Sequence, residues 1–238
     1  MNSIYQQIIS SYQKKQARLA VLIDPDKFSL TVVELANKCN VHYFFVGGSK
    51  LTNGNIEKTI STIKKHSKIP VIIFPGDEKQ LSAKADAVLF LSLLSGRNPD
   101  YLIGKQVLAA PFIKKKKLEC ISTAYILVEG NATSTTEKVS KTKPLSDTKT
   151  IVHTAIAAEL LGFKTVYLEA GSGAKTNINT ALIKKVKQNI NIPLLVGGGI
   201  NTTTKAKQAI NAGADIVIVR NALEKNSNLL KELSLLFI

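Results

Sequence analysis

Glu169 ends the apolar run Val166-Tyr167-Leu168 and is followed at once by Ala170-Gly171-Ser172-Gly173. A carboxylate so placed can accept a proton, and the glycine-containing turn beside it can aim backbone N–H groups at an anion. Two later stretches repeat half of this pattern. Val196-Gly197-Gly198-Gly199-Ile200 and Val219-Arg220-Asn221-Ala222 each close an apolar run, so three strand ends are expected to converge on one phosphate. Nearer the start, Leu22-Ile23-Asp24-Pro25-Asp26 offers two carboxylates, and Val46-Gly47-Gly48-Ser49 offers a hydroxyl behind two glycines. Oxygen donors of this kind suit Mg²⁺ beside a phosphorylated substrate. Plainer uses stay open: Asp24 or Asp26 can turn the chain at Pro25 and cap a helix, and Glu169 can be a structural strand-end carboxylate. Asp26 is the favoured cap and Asp24 the favoured ligand.

Elements that bring these residues to one rim can be read from the hydrophobic pattern. Short runs rich in Val, Ile, Leu and Phe occur at Leu19–Ile23, His42–Val46, Val71–Phe74, Ala87–Leu91, Thr123–Val128, Thr165–Leu168, Leu194–Val196 and Ile216–Val219. Helical windows lie between or after them, at Leu30–Cys39, Ile56–His66, Asp100–Ala110, Thr148–Leu161, Ile178–Asn189, Thr203–Ala212 and Asn228–Leu236. This alternation is that of parallel strands covered by helices, and eight units in 238 residues predict an α/β fold, a single (β/α)8 TIM-barrel domain over residues 1–238. Only a short helical turn around Glu78–Lys84 fits after the third strand, so that unit is degenerate. Ligands of such barrels meet the C-terminal strand ends. The end of the fourth strand, Leu91 to Pro99, is mostly small or apolar and suits a greasy substrate; Arg97 within it is expected to be structural. Residues 131–149 follow the fifth strand and read equally as a mobile cover or a floppy loop.

Charge sets the company the chain keeps. Lysine and arginine number 32 against 17 acids, a net +15, which points to phosphorylated metabolites, an acidic membrane surface or nucleic acid. No aromatics are interleaved with Lys114–Lys117, so nucleic acid is not expected, and that run reads as a solvated loop before a strand. Cys39 and Cys120 form no metal or redox spacing and read as buried small hydrophobes. His42, His66 and His153 have no metal-ligand spacing, and a Ser-His-Asp mechanism finds no support. With neither a signal-peptide pattern nor the roughly eighteen consecutive apolar residues of a membrane span, a cytoplasmic location is expected.

Taken together and in order, Leu22-Ile23-Asp24-Pro25-Asp26, Phe45-Val46-Gly47-Gly48-Ser49, Leu94-Ser95-Gly96-Arg97-Asn98-Pro99, Tyr167-Leu168-Glu169-Ala170-Gly171-Ser172-Gly173 and Val196-Gly197-Gly198-Gly199-Ile200 resemble the geranylgeranylglyceryl phosphate synthase family, related to the heptaprenylglyceryl phosphate synthases. The resemblance covers nearly the whole chain and is nearest the branch with bacterial members using a C20 donor. It implies a Mg²⁺-dependent prenyltransferase that joins the 3-hydroxyl of sn-glycerol 1-phosphate to a polyprenyl diphosphate, geranylgeranyl by expectation, and a homo-oligomer; peripheral membrane contact is expected from the positive charge. By position it implies Asp24 and Ser49 as metal ligands and Glu169 as base. Tyr167, Leu168, Glu169, Ala170, Gly171, Ser172, Gly173, Gly198, Gly199, Arg220 and Asn221 become the glycerol-phosphate contacts. Arg220 departs from the family, which usually has Gly-Asn at this point; either the loop tolerates a side chain or the guanidinium joins the site. The competing readings are another phosphate-binding barrel enzyme, of isomerase or aldolase type, and a non-catalytic barrel that binds polyanions or membranes.

Overall fold

A computed structural model describes residues 3–171, 174, 176–220 and 228–237. Eight parallel strands close into a barrel in the order β1 to β8: Arg18–Ile23, Tyr43–Val46, Val71–Ile73, Ala87–Leu93, Glu119–Leu127, Thr165–Glu169, Leu194–Gly197 and Ile216–Val219. All eight overlap the apolar runs of the sequence, β5 beginning at Glu119 rather than Thr123, and the α/β barrel expectation holds.

Alternation along each strand sorts side chains into two cores. Ala20, Leu22, Tyr43, Phe45, Ile72, Tyr125, Tyr167, Leu195 and Ile218 fill the barrel interior. Their neighbours Leu19, Val21, Phe44, Val166, Leu168, Val196 and Val217 pack in the outer layer with the helices, as the two-residue period of a strand requires. Helix α3 shows how the outer layer forms: in Ile56–His66 the buried Ile56, Ile60 and Ile63 recur at helical spacing, and Asn55 caps the start by accepting from Lys58 N at 2.9 Å. Full burial of an isoleucine contributes roughly 1.5–3 kcal/mol.

Four features depart from the sequence reading. The N-terminal segment is a helix, α1 (Ile4–Gln13), opened by a Ser3–Gln6 capping box. Its Ile4 and Ile8 join the interior core, and its first N–H groups, from Ile4 and Tyr5, donate to the Glu119 carboxylate at 2.7 Å each. Glu119 starts β5, so α1 closes the entry end of the barrel. Lys114–Lys116 are not loop residues but the last turn of α4 (Lys105–Lys116), with Lys117 as its left-handed cap, where positive charge complements the helix dipole. Cys39 and Cys120 are half-buried rather than buried.

The fourth departure matters most. No helix forms around Glu78–Lys84; residues 74–86 are turns, bends and irregular chain. Side chains replace the helical ladder there: the Gln80 amide donates to Gly48 O at 2.8 Å and accepts from Gly48 N and Gly76 N, while Ser82 donates to Glu57. Because Gln80 is buried, these bonds satisfy groups that would otherwise be stranded. No helix stands between β3 and β4 in the chain to fill the outer groove between those two strands.

Candidate active site

Inward alternation carries past the last apolar residue of three strands. After Leu22 comes Asp24, after Tyr167 comes Glu169, and after Ile218 comes Arg220; their side chains converge at the C-terminal mouth. The Arg220 guanidinium is ion-paired through Nη2 with Asp24 Oδ2. Asp24 Oδ1 accepts from Asp26 N at 3.1 Å, capping the one-turn 3₁₀ helix Pro25–Lys27. Thus Asp24, not Asp26, is the cap. Asp26 instead accepts N–H groups from Thr52, Asn53 and Gly54; these hold its carboxyl below the usual range and fix the loop after β2.

Glu169 is buried and accepts hydrogen bonds from the Tyr167 hydroxyl and, at 3.2 Å, the Tyr125 hydroxyl. Tyr125 and Tyr167 are direct partners in the β5–β6 register, with ring centroids 5.2 Å apart. Burial pushes the Glu169 carboxyl up, opposed by the Tyr167 bond, the Arg220 charge and the Tyr125 bond. Burial and the Glu169 charge push both phenols well above their ordinary value, so they stay protonated and donate. Thr136 Oγ lies 3.3 Å from the Tyr125 hydroxyl and 3.1 Å from Ser49 Oγ. A continuous run of hydroxyls therefore links Ser49 to Glu169.

Loops after β6 and β7 meet where only glycine fits. Gly198 and Gly199 have φ of +80° and +70°, a side chain on Gly198 would lie 2.8 Å from Ala170 N, and one on Gly199 would lie 2.7 Å from Thr176 O. This brings the Ala170-Gly171 backbone beside Gly198, ahead of helix α8 (Thr203–Asn211), whose Lys205 Nζ sits 3.2 Å from Gly199 O. Leu168 and Ala170 point into the outer layer and present backbone, not side chains, to the mouth. Ser172, Gly173 and Asn221 lie outside the described residues. Arg220 is not among the non-glycine residues with positive φ, so a side chain is tolerated at its backbone geometry.

Beside this polar centre is an apolar pocket, bounded by Ser49, Tyr125 and Thr136 at the mouth and by Phe74, Leu81, Val88, Phe90, Tyr101, Ala109 and Ile113 beyond. The missing third helix opens it, and α4 forms its far wall. Over the mouth runs the segment 131–149, which is folded: α5 (Thr135–Ser140) is capped by Ser134, Leu145 pairs with Val128, and Tyr101 and Asn98 donate to Val139 O and Ser140 O at 3.0 and 2.9 Å. The reading as a cover is the one the structure favours. Arg97 donates to Leu94 O and Gly96 O, a structural role as expected. His42 lies at the entry end of β2, bonded to Arg18, far from the mouth.

Sequence reading missed Tyr125, Thr136 and Gln80. Tyr125 alone carried a signal, since it lies near the C-terminal end of an apolar run; the partners of Thr136 and Gln80 are distant in sequence.

Comparison with known proteins agrees with this geometry. The model of the PcrB family matches residues 12–235. A geranylgeranylglyceryl phosphate synthase of Flavobacterium johnsoniae is 47% identical, the match covering 96% of each chain, and one of Chitinophaga pinensis is 43% identical over 98% of this chain and 95% of its own. Among solved structures, the (S)-3-O-geranylgeranylglyceryl phosphate synthase of Thermoplasma acidophilum, in complex with its substrate sn-glycerol 1-phosphate, superposes with a TM-score of 0.93 at 32% identity, covering 100% of this chain and 99% of that one. A family match over nearly the full length, joined to relatives this similar, means that the chain belongs to the PcrB family.

Proposed function

We propose that this protein is a prenyltransferase that joins a polyprenyl group, geranylgeranyl, to the 3-hydroxyl of sn-glycerol 1-phosphate. One observation carries the reading: Glu169, held by two phenols, sits where glycine-lined strand ends meet an apolar pocket. A phosphorylated alcohol suits the first side and a hydrocarbon tail the second. The names of the relatives and the ligand of the T. acidophilum protein support the same pair of substrates.

In this reading Tyr167–Gly173, Gly198, Gly199, Arg220 and Asn221 hold the glycerol phosphate. Its 3-oxygen attacks the allylic C1 of the donor, the C1–O bond breaks with its electron pair leaving on diphosphate, and the hydroxyl proton passes to a Glu169 carboxylate oxygen. Raised by burial, that carboxylate is a stronger base than an exposed one. Tyr125 and Tyr167 keep it from turning away. Asp24 and Ser49 are the residues proposed for Mg²⁺. They fit it: Asp24 Oδ1 lies 3.3 Å from where a side chain on Gly48 would begin, so the carboxylate adjoins the Gly48-Ser49 turn, and Mg²⁺ needs only one or two protein oxygens when water and substrate phosphates complete its shell. Among the described residues no group of three acids, histidines or cysteines competes as a site. When bound, Mg²⁺ supplies positive charge against the departing diphosphate. A homo-oligomer and contact with an anionic membrane belong to the same proposal, supported by the exposed Ile103, Val107 and Leu108 around the start of α4 and by the net charge of +15.

The purified protein with sn-glycerol 1-phosphate, geranylgeranyl diphosphate and Mg²⁺ is expected to yield an ether-linked product, and Glu169→Gln to slow it roughly 10²–10⁴-fold. Absence of product with C15, C20 and C35 donors alike would overturn the reading.

A further inference from the structure

The guanidinium of Arg220 occupies the carboxylate proposed as the metal ligand. Its Nη2 is on Asp24 Oδ2, the two side chains being only 19% and 9% exposed, and its Nε is buried with no hydrogen-bond partner among the described residues. A guanidinium carries five donors in a planar fork. Here one edge is spent on Asp24, while Nε remains unsatisfied at a mouth whose neighbouring strand ends form a glycine-lined anion cradle. Arg220 and a divalent cation would share the single negative charge of Asp24, so each weakens the hold of the other.

We propose that Arg220 acts as a built-in counter-ion that couples the two ligands: without an anion it holds Asp24, and a phosphoryl group entering the cradle draws its fork away and frees the carboxylate for the metal. The inference rests on the reading of Asp24 as metal ligand. Its physical basis is the cost of a buried charge without a partner. When Arg220 turns to a phosphoryl oxygen, Asp24 is left uncompensated, and a buried unpaired carboxylate gains strongly by taking a cation. Bidentate pairing with phosphate gives the guanidinium an equivalent partner. Coupling of this kind is reciprocal, so the metal tightens the phosphate by the factor by which the phosphate tightens the metal. The phosphoryl group can come from sn-glycerol 1-phosphate or from the diphosphate of the donor; both offer the same oxygens.

Mn²⁺ binding, followed by its electron paramagnetic resonance signal, tests the coupling without turnover, Mn²⁺ sharing the oxygen-ligand preference of Mg²⁺. In the wild type, saturating sn-glycerol 1-phosphate is expected to tighten Mn²⁺ about tenfold, a coupling within the usual range. A parallel arm with a non-hydrolysable prenyl diphosphate analogue, its own Mn²⁺ binding subtracted, shows which substrate releases Arg220. Arg220→Gln and Arg220→Gly are expected to bind Mn²⁺ several-fold more tightly than the wild type without phosphate, and to lose the coupling. Two variants guard against a loss of fold in either. Asp24→Asn separates the two layers of the argument. If it abolishes Mn²⁺ binding while both Arg220 variants keep the wild-type affinity and coupling, the counter-ion proposal fails and the metal assignment stands. If Asp24→Asn binds Mn²⁺ as the wild type does, the metal assignment falls and the proposal with it.

Discussion

The phenol of Tyr125 is one of two that hold the Glu169 carboxylate, and it is the one that can be removed without disturbing the strand that carries Glu169. Its hydrogen bond opposes the upward push of burial on Glu169. Tyr125→Phe therefore raises the carboxyl further, and the acid limb of the kcat/KM profile should move to higher pH. At neutral pH the rate should drop by roughly tenfold, within the worth of one hydrogen bond to a charged group. An acid limb that stays in place or moves down would show that Glu169 does not govern it. Asp24, Glu169 and Arg220 were legible in the sequence because each follows an apolar strand at the inward-facing position. Tyr125 was less so, because its role depends on β6 lying beside β5 with Tyr167 in register. The pairing of Arg220 with Asp24, 196 positions apart, had no local signal at all.

A strand pair without its covering helix is what gives this barrel a hydrophobic side chamber. The sequence showed that the third unit was short, but the Gln80 and Ser82 side-chain bonds that hold it open have no periodicity to betray them. Helix α5 was hidden for a similar reason: it is short, and its surroundings are polar and Lys-rich. Eight strands and the longer helices were readable because apolar spacing dictates them. On α4, Ala109 and Ile113 face the chamber, with Ile113 two turns beyond Lys105, roughly 12 Å further along the helix. Ala109→Phe places a ring across that path. Turnover with a C20 donor is expected to fall at least tenfold relative to a C10 donor, measured by product formation at matched concentrations. Equal losses with both donors would mean that the tail lies elsewhere.

The molecule as a whole is a barrel closed at one end and working at the other, and its acid stability should reflect the closed end. His42 is pushed down to about 4, by burial first and then by the Arg18 charge. Its pKa is lower folded than unfolded, so its contribution to stability is complete above about 6.5 and is lost as pH falls through about 4. The melting temperature should decline across that window, and His42→Gln should flatten part of the decline; an unchanged slope in scanning calorimetry would count against it. Helix α1, which makes this end solid, was not visible as an element because it is short and mostly polar. Its effect reaches the other rim. With Ile4 and Ile8 packed into the barrel interior, nothing can pass through the axis, and among the described residues no helix is long and apolar enough to cross a membrane. Under the proposed function, a product with its charged head at the rim and its hydrocarbon tail in the side chamber would be unloaded sideways, and a receiving lipid surface would lower the barrier to that departure. The closed floor thus turns product escape into a one-door problem.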